Sequence, residues 1–466
     1  MSFARVSRVP LILLPVIYWG LTTHGKFTDS GDEPHYLMMA QSLWADRDLD
    51  LANNYAQDDG ARFGAAGLQH ELHAIPARDG ALRPVHDVGV AVALLPAFVV
   101  ATTVARLAPS GVLQRFRMSQ GLFAYALISF AVMAVVVLSA KWMIAALSQA
   151  GHSAHLSAAV VLVVWATLPI LANAYEVFPE PFALLATALA VYEWTSPPFS
   201  WSRRTWLLVA LLGFLPWFHR KYVVYAAALL TVILWRKRER LTALGPTMWI
   251  PAVALFVLPI AALGVWTYHY WGNVGGGLTL GGAPFSLRTF ATGAPGLLID
   301  RENGLFWWAP LTLLAPAAFT LDRTRLIWLL PITALVVPAA AHDQWWAGFS
   351  PACRFLVPLV PILCLLGADL LRHRTARVAI MVALVPQILF AAYGWQHPHD
   401  LWPRGDGHNR VLAAFVGGLA DRWLPSFRVP SASTWPLAIS VFGLVAALNA
   451  TVAVRCARAR KEHREF

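Results

Sequence analysis

Apolar blocks of roughly 15 to 25 residues, each about the length a helix needs to cross a hydrocarbon core, alternate with short polar connections along this chain. The pattern predicts spans near 9–23, 119–147, 155–172, 181–194, 206–219, 222–235, 248–270, 304–320, 325–341, 352–370, 377–394 and 435–454. A further apolar block, 88–105, is interrupted by Pro96. If it crossed, every later loop as far as Arg240 would change sides, so it is assigned to the membrane surface within the first loop. The expectation is an all-α polytopic integral membrane protein with about 12 transmembrane helices (range 11–13). The first span is expected to be retained, because Leu21-Thr-Thr-His-Gly25 offers no small-x-small cleavage site.

Composition agrees: 58% of residues are hydrophobic and the mean hydropathy is +0.56, which excludes an ordinary soluble domain. A net charge of +11 raises nucleic acid as a partner, but the basic residues do not form a binding face. They fall in short clusters between spans: Arg203-Arg204, Arg236 to Arg240, Asp322-Arg-Thr-Arg325, Arg372-His-Arg374 with Arg377, and the tail from Arg455 to Arg464. That is the positive-inside pattern, so these loops and both termini are expected in the cytoplasm. Acidic residues show the opposite bias. Residues 24–87 hold eleven of the 25 acids against five Lys or Arg, which places the loops 24–118, 271–303 and 395–434 outside. Two regions result: a transmembrane module over 1–370, whose first loop bears surface helices near 33–46 and 88–105, and a C-terminal region over 371–466 with its own external loop and a basic tail. Cys353, Cys364 and Cys456 outline no redox or zinc framework.

Polar groups that would be costly in lipid gather on the external side. Tyr36, Met39, Ala40 and Leu43 share one face of a predicted surface helix starting at Glu33, with Asp32 and Glu33 at its N-terminus. Ser30 or Asp32 can cap that helix while Pro34 opens its first turn; equally, adjacent carboxylates can supply a general base and a group that orients an acceptor or a cation. His24, His35, His70, His73 and His86 crowd the same loop. His70-Glu-Leu-His73 lacks a standard zinc motif, and the histidines read as solvent-exposed or sugar-contacting groups. A divalent ion is left open, with Asp32, Glu33, His70 and His73 as its candidate ligands. Glu176 and Glu180 occupy the next external turn, and His219-Arg-Lys-Tyr222 interrupts two short spans on the same side. Cations there run against the charge rule and need a local partner, a lipid phosphate or a carboxylate such as Glu180, and Arg220 and Lys221 are the candidates for a phosphate contact. Arg301 and Arg354 are further candidates, with Asp300 or Glu302 and Asp343 as alternative ion-pair partners. His35, Tyr36, His86 and His269 complete the candidate substrate contacts. Gly272-Asn-Val-Gly-Gly-Gly277 follows no strand and reads as a flexible flap rather than a phosphate cradle.

Several segments in order resemble bacterial members of the GT-C glycosyltransferase superfamily, nearest to the protein O-mannosyltransferase and lipid A aminoarabinose transferase group. They are Gly31-Asp-Glu-Pro-His-Tyr36 after the first span, Val85-His-Asp-Val-Gly89, Tyr175 to Pro181, Asp300 to Pro310, and Trp345 to Arg354 followed by Pro358 and Pro361. The resemblance covers about residues 9–370. It implies a GT-C-type fold in a bacterial inner membrane and inverting transfer of a sugar from a polyprenyl-phosphate donor to an acceptor hydroxyl on the external face. The acceptor would be lipid, glycan or protein. By position, Asp32 resembles the catalytic carboxylate, Glu33 its neighbour, and Glu176 or Glu180 the second-loop carboxylate, where the family often has Asp. No cofactor is implied beyond the open metal question, and no nucleic-acid partner. A transporter or flippase of an amphiphilic, lipid-linked sugar is the competing class; it favours charge near the bilayer midplane and repeated halves, and no repeat is visible. A noncatalytic scaffold would leave the clustered carboxylates and external cations without a role.

Overall fold

The computed structural model describes residues 8–23, 31–71, 73–198, 201–277 and 285–462. Its main helices are α1 (Arg8–Thr23), α2 (Glu33–Ala45), α3 (Gly89–Leu107), α4 (Gln120–Gln149), α5 (Ala154–Trp165), α6 (Glu180–Thr195), α7 (Arg203–Phe218) and α8 (Tyr222–Arg236). These are followed by α9 (Pro246–Trp271), α10 (Leu287–Ile299), α11 (Leu329–Ala341), α12 (Val360–Leu370), α13 (Arg374–Gln396) and α14 (Thr434–Glu462). One short antiparallel pair, β1 (Ala74–Pro76) with β2 (Leu82–Pro84), lies in the first loop. Among the described residues six helical stretches are long and apolar enough to cross a membrane: Gly89–Leu107, Gln120–Gln149, Thr247–Trp271, Arg323–Ala341, Ala376–Gln396 and Thr434–Ala457. The protein is an all-α, multi-pass membrane protein.

Several expected spans are broken where proline intervenes. Over 304–320 the chain forms Leu305–Trp308, a 3₁₀ turn Pro310–Leu314 and Ala315–Leu321, and over 352–370 it forms a 3₁₀ turn Arg354–Leu359 before α12. Pro310, Pro316 and Pro361 each stand at the first or second position of the piece they open, where a missing N–H is tolerated, and Ala309 before Pro310 leaves the helical region. Pro169 stands at the N-cap of a separate turn, Ile170–Asn173, that follows α5.

The centre of the fold is α4 and α6 running parallel. Trp142 meets Tyr192 edge to face at 4.9 Å, and the hydroxyls of Thr195 and Ser196 both donate to Gln149 Oε1 at 3.1 Å, so the two helices end together. Helix α7 starts beside that end, with Ser202 and Thr205 forming a capping box and Thr205 Oγ1 donating to Glu193 Oε2 at 2.9 Å. It runs back, turns through His219-Arg-Lys221, and α8 descends again. One end of this layer therefore carries the starts of α6 and α8, and the other their C-termini, about 24 Å away along the 16 residues of α6.

Helix α3 corresponds to the block expected on the membrane surface. It is long and apolar enough to cross a membrane, and its two ends attach to the end of α7 and the start of α4. Gly89 lies so close to α7 that a Cβ would approach the Trp217 carbonyl oxygen to 2.4 Å, and the carbonyl of Ala105 accepts from Gln120 Nε2 at the start of α4, at 2.9 Å. Together with α2, Phe63 and the first turns of α4, it builds a second apolar core beneath the first loop, sealed by Val177, Phe178 and Phe182.

Candidate functional site

Asp32 occupies the N-cap position of α2, but its side chain makes no capping hydrogen bond. Its carboxylate faces Arg354 instead, with Nη2 3.2 Å from Oδ2. Ser30, the other capping candidate, and His24 lie outside the described residues. Arg354 comes from the 3₁₀ turn that opens the broken 352–370 stretch, and its Nε donates to Glu180 Oε2 at 3.1 Å. Lys221 donates to the other oxygen of Glu180 at 2.6 Å. Four charges from four separate segments thus alternate in sign: Asp32, Arg354, Glu180, Lys221. The Arg354 and Glu180 side chains are 4% and 0% exposed, while Asp32 keeps 28%, so the network is sealed at its centre and open at the aspartate. The Phe178 ring lies under the Arg354 guanidinium, 3.5 Å from its centroid, and Phe355 lies 4.2 Å from Lys221 Nζ.

Glu33 diverges from its neighbour. Buried, it accepts the Val177 backbone N–H at 2.5 Å and pins the first loop to the turn that carries Glu176, which is itself buried. Arg220, adjacent to Lys221, is held by Asp87, which accepts from the Arg220 backbone N–H at 2.7 Å and from Nη2 at 2.5 Å; Arg220 also donates to the Gly275 carbonyl. The glycine-rich 272–277 stretch is therefore tied to this turn through Arg220. Asp87 was not among the sequence candidates, although it stands next to His86.

Three of the loop histidines stack into one group. His73 Nδ1 and His86 Nε2 are 2.9 Å apart, the His35 ring lies parallel to His73 with centroids 3.5 Å apart, and His86 Nε2 is 3.9 Å from Asp32 Oδ1. His35 Nδ1 and the Tyr55 hydroxyl share a 2.7 Å hydrogen bond. Burial, then the proximity of His86, pushes His73 down to about 4, and burial with the neighbouring imidazoles pushes His35 down to about 2, so these rings are neutral at pH 7. Burial raises the Asp32 carboxyl, but His86 and Arg354 overcome it and hold the group well below the usual carboxylate range. Lys221 is drawn down to about 8 by burial, against the pull of Glu180.

Asp32, His73 and His86 offer one ligand atom each within 4.8 Å of one another. Two neutral imidazoles and a carboxylate suit a transition-type divalent ion better than magnesium, which favours oxygen ligands. Of the sequence candidates for such a site, Glu33 is turned to Val177 and His70 lies apart, its ring edge-on to Tyr55 at 5.7 Å; His86 takes their place.

Two further candidates stand away from this group. Arg301 donates to the carbonyls of Gly407 and Asp421 and lies 3.7 Å from the Asp421 carboxylate, so it fastens the 405–421 loop; neither Asp300 nor Glu302 is its partner. Asp300 accepts backbone N–H groups of Glu302, Asn303 and Phe427, and Glu302 those of Gly405 and Gly407. His269 packs edge-on to Tyr270 near the end of α9. Conversely, the hydroxyls of Tyr36 and Tyr222 are buried with no hydrogen-bond partner among the described residues, and Tyr36 lies 5.3 Å from the His86 ring. Tyr222 could have been suspected from its place next to Lys221.

Fold and site define a multi-pass helical membrane protein with an alternating network of carboxylates and cations at one end of its helix layer. Compared with protein-family models, curated proteins and solved structures, the chain matches none. The functional reading therefore rests on this geometry and on the sequence segments that place it.

Proposed function

We propose that the protein is a glycosyltransferase that moves a sugar from a polyprenyl-phosphate donor to an acceptor hydroxyl at the external, periplasmic face of a bacterial inner membrane, within a GT-C-type fold of about twelve crossings. The observation that carries this reading is the partly open Asp32 carboxylate held against Arg354, with Glu180 and Lys221 behind it. In this reading the donor phosphate docks on Arg354 and Lys221 in competition with the carboxylates. Drawing Arg354 away from Asp32 raises the basicity of a carboxylate that is otherwise held too acidic to take a proton well. Asp32 then accepts the hydroxyl proton of the acceptor as its oxygen attacks the anomeric carbon. The bond from that carbon to the phosphate oxygen breaks, the electron pair leaves with the lipid phosphate, and the fixed cations stabilise the departing charge. Inversion follows from attack opposite the leaving group.

Tyr36 and Tyr222 supply hydroxyls for the sugar or phosphate oxygens, and His35 remains a wall of the histidine group. A divalent ion bound by Asp32, His73 and His86 would add positive charge near the acceptor oxygen and lower its proton affinity. Arg301 and His269 have no part in this scheme.

The carboxylates and cations of the Asp32 network lie together at one end of the layer, not at its middle, which supports transfer over transport. The test uses purified protein in lipid given a labelled polyprenyl-phosphate sugar and a panel of lipid, glycan and peptide hydroxyl acceptors. Formation of glycosylated acceptor with release of polyprenyl phosphate is expected. Movement of the intact donor across sealed vesicles, with no bond broken, would instead identify a flippase.

A further inference from the structure

The opposite end of the helix layer carries a second cavity, of ≈ 800 Å³, bordered by the C-terminal ends of α4, α6 and α8. Five arginines line it, Arg236, Arg238, Arg323, Arg325 and Arg372, against one acid, Asp322. They come from three loops far apart in sequence. The charge rule for membrane loops asks only that such cations share a side; it does not ask three loops to aim them at one hollow. Bringing them together raises their mutual repulsion, which a bound anion would relieve.

The surroundings neutralise only part of this charge. Arg325 Nη2 pairs with Asp369 at 2.8 Å, while its buried Nε has no hydrogen-bond partner, the nearest carboxylate oxygen of Asp322 lying 3.5 Å away. Arg236 Nε donates to the Trp194 carbonyl at 2.9 Å, Arg238 Nη1 to that of Trp235 at 3.0 Å, and Arg372 Nη2 to that of Ala150 at 2.5 Å. These neutral acceptors fix the guanidinium groups without cancelling their charge. Arg323 is exposed and has no acidic partner among the described residues. The adjacent Glu193 does not help: it is committed to Lys237, 2.9 Å away and fully buried.

We propose that this cavity binds the phosphate of an anionic phospholipid headgroup. Phosphate matches guanidinium donors in charge and geometry. A lipid is favoured over a free anion because the same rim is built for a bilayer boundary. Trp194 and Trp235 flank the arginines, Trp235 at 55% exposure, and the segment that supplies Arg323 and Arg325 continues into Leu326, Leu329 and Leu330, all at least 40% exposed. Tryptophan at this level and an outward apolar face beside it suit a headgroup in the cavity with acyl chains running down α8 and α11. The site is separate from the Asp32 network and does not depend on the transferase reading.

The experiment compares lipid retention by the full-length protein in neutral detergent, read by native mass spectrometry after addition of phosphatidylglycerol or phosphatidylcholine. Preferential retention of phosphatidylglycerol is expected, weakened about fivefold for each arginine lost in Arg323→Gln and in the double variant Arg238→Gln/Arg323→Gln. Arg323→Lys should keep most of the preference, and unfolding temperatures of all variants should match the parent. Equal retention of both lipids, or a preference untouched by the double variant, overturns the proposal. Displacement of phosphatidylglycerol by inorganic phosphate at the same concentration would make a free anion the ligand and overturn the lipid assignment.

Discussion

The two ends of α6 handle positive charge in opposite ways. At its start, three cations are matched: Arg220 by Asp87, Lys221 by Glu180, and Arg354 by both Glu180 and Asp32. At its end, arginines outnumber acids, and the pairs that do form, Glu193 with Lys237 and Arg325 with Asp369, stand beside the hollow. A matched network holds its side chains in place before any ligand arrives, and a ligand enters by exchanging partners. An unmatched cluster waits for its counter-ion. Buried pairs differ again in their setting: Glu193 and Lys237 lock the ends of α6 and α8 together, whereas Arg354 stands between two carboxylates, one of them partly exposed.

That difference can be broken experimentally. The largest effect is expected from Arg354→Met, which strands Glu180 and Asp32 without their cation; stability should fall by about 3–5 kcal/mol, and donor turnover should be lost even where the variant folds. Lys237→Met should destabilise by a similar amount through Glu193, but the double change Glu193→Leu/Lys237→Met should recover most of that stability, with turnover intact, because a buried pair can be replaced by apolar groups when both members go. No such double change at Arg354 and Glu180 should recover turnover. Thermal unfolding in detergent, run beside the transfer assay, separates the two cases.

Intermediate effects come from pH. Lys221 carries its charge below about 8, so the donor KM should rise as pH passes that value while the rate at saturating donor changes less. His73 titrates near 4 in the folded protein against 6.5 unperturbed, so between those values the unfolded chain binds more protons, and stability should climb as pH rises from about 4 to 6.5. A chelator titration of activity, with zinc or manganese restored afterwards, reports whether the Asp32, His73 and His86 set binds an ion that matters; His86→Ala should abolish any such dependence. The smallest effect belongs to Arg323→Gln, expected to change stability by less than about 0.5 kcal/mol, as befits an exposed group with no partner to lose.

Much of the charged network is legible in the chain itself. Asp32, Glu180, Lys221 and Arg354 are each out of place in an apolar sequence, and the cost of unpaired charge near lipid is enough to expect them to find one another. Their pairing is legible in part: Glu180 suits the cations at 220–221 and does pair with Lys221, whereas Arg354 has Asp343 close in sequence and yet reaches Glu180 and Asp32, far away along the chain. Asp87 escapes notice because the histidine before it draws attention first. Arg301 misleads for a physical reason: a cation near tryptophans at a membrane boundary suits a phosphate contact as well as it suits a loop tether, and only the 405–421 carbonyls decide. The breaks after Trp165, at Pro310 and at Pro358 to Pro361 follow from proline chemistry, which hydrophobic block length alone overlooks.

The central claim is that Asp32 takes a proton in a transfer reaction driven at the Arg354 network. It is tested most directly by comparing Asp32→Asn with the parent protein in lipid, on labelled polyprenyl-phosphate sugar and an acceptor that the parent accepts. The account predicts donor binding within a few-fold of the parent and turnover lowered by about 10² to 10⁴. Equal turnover by the two proteins would contradict it.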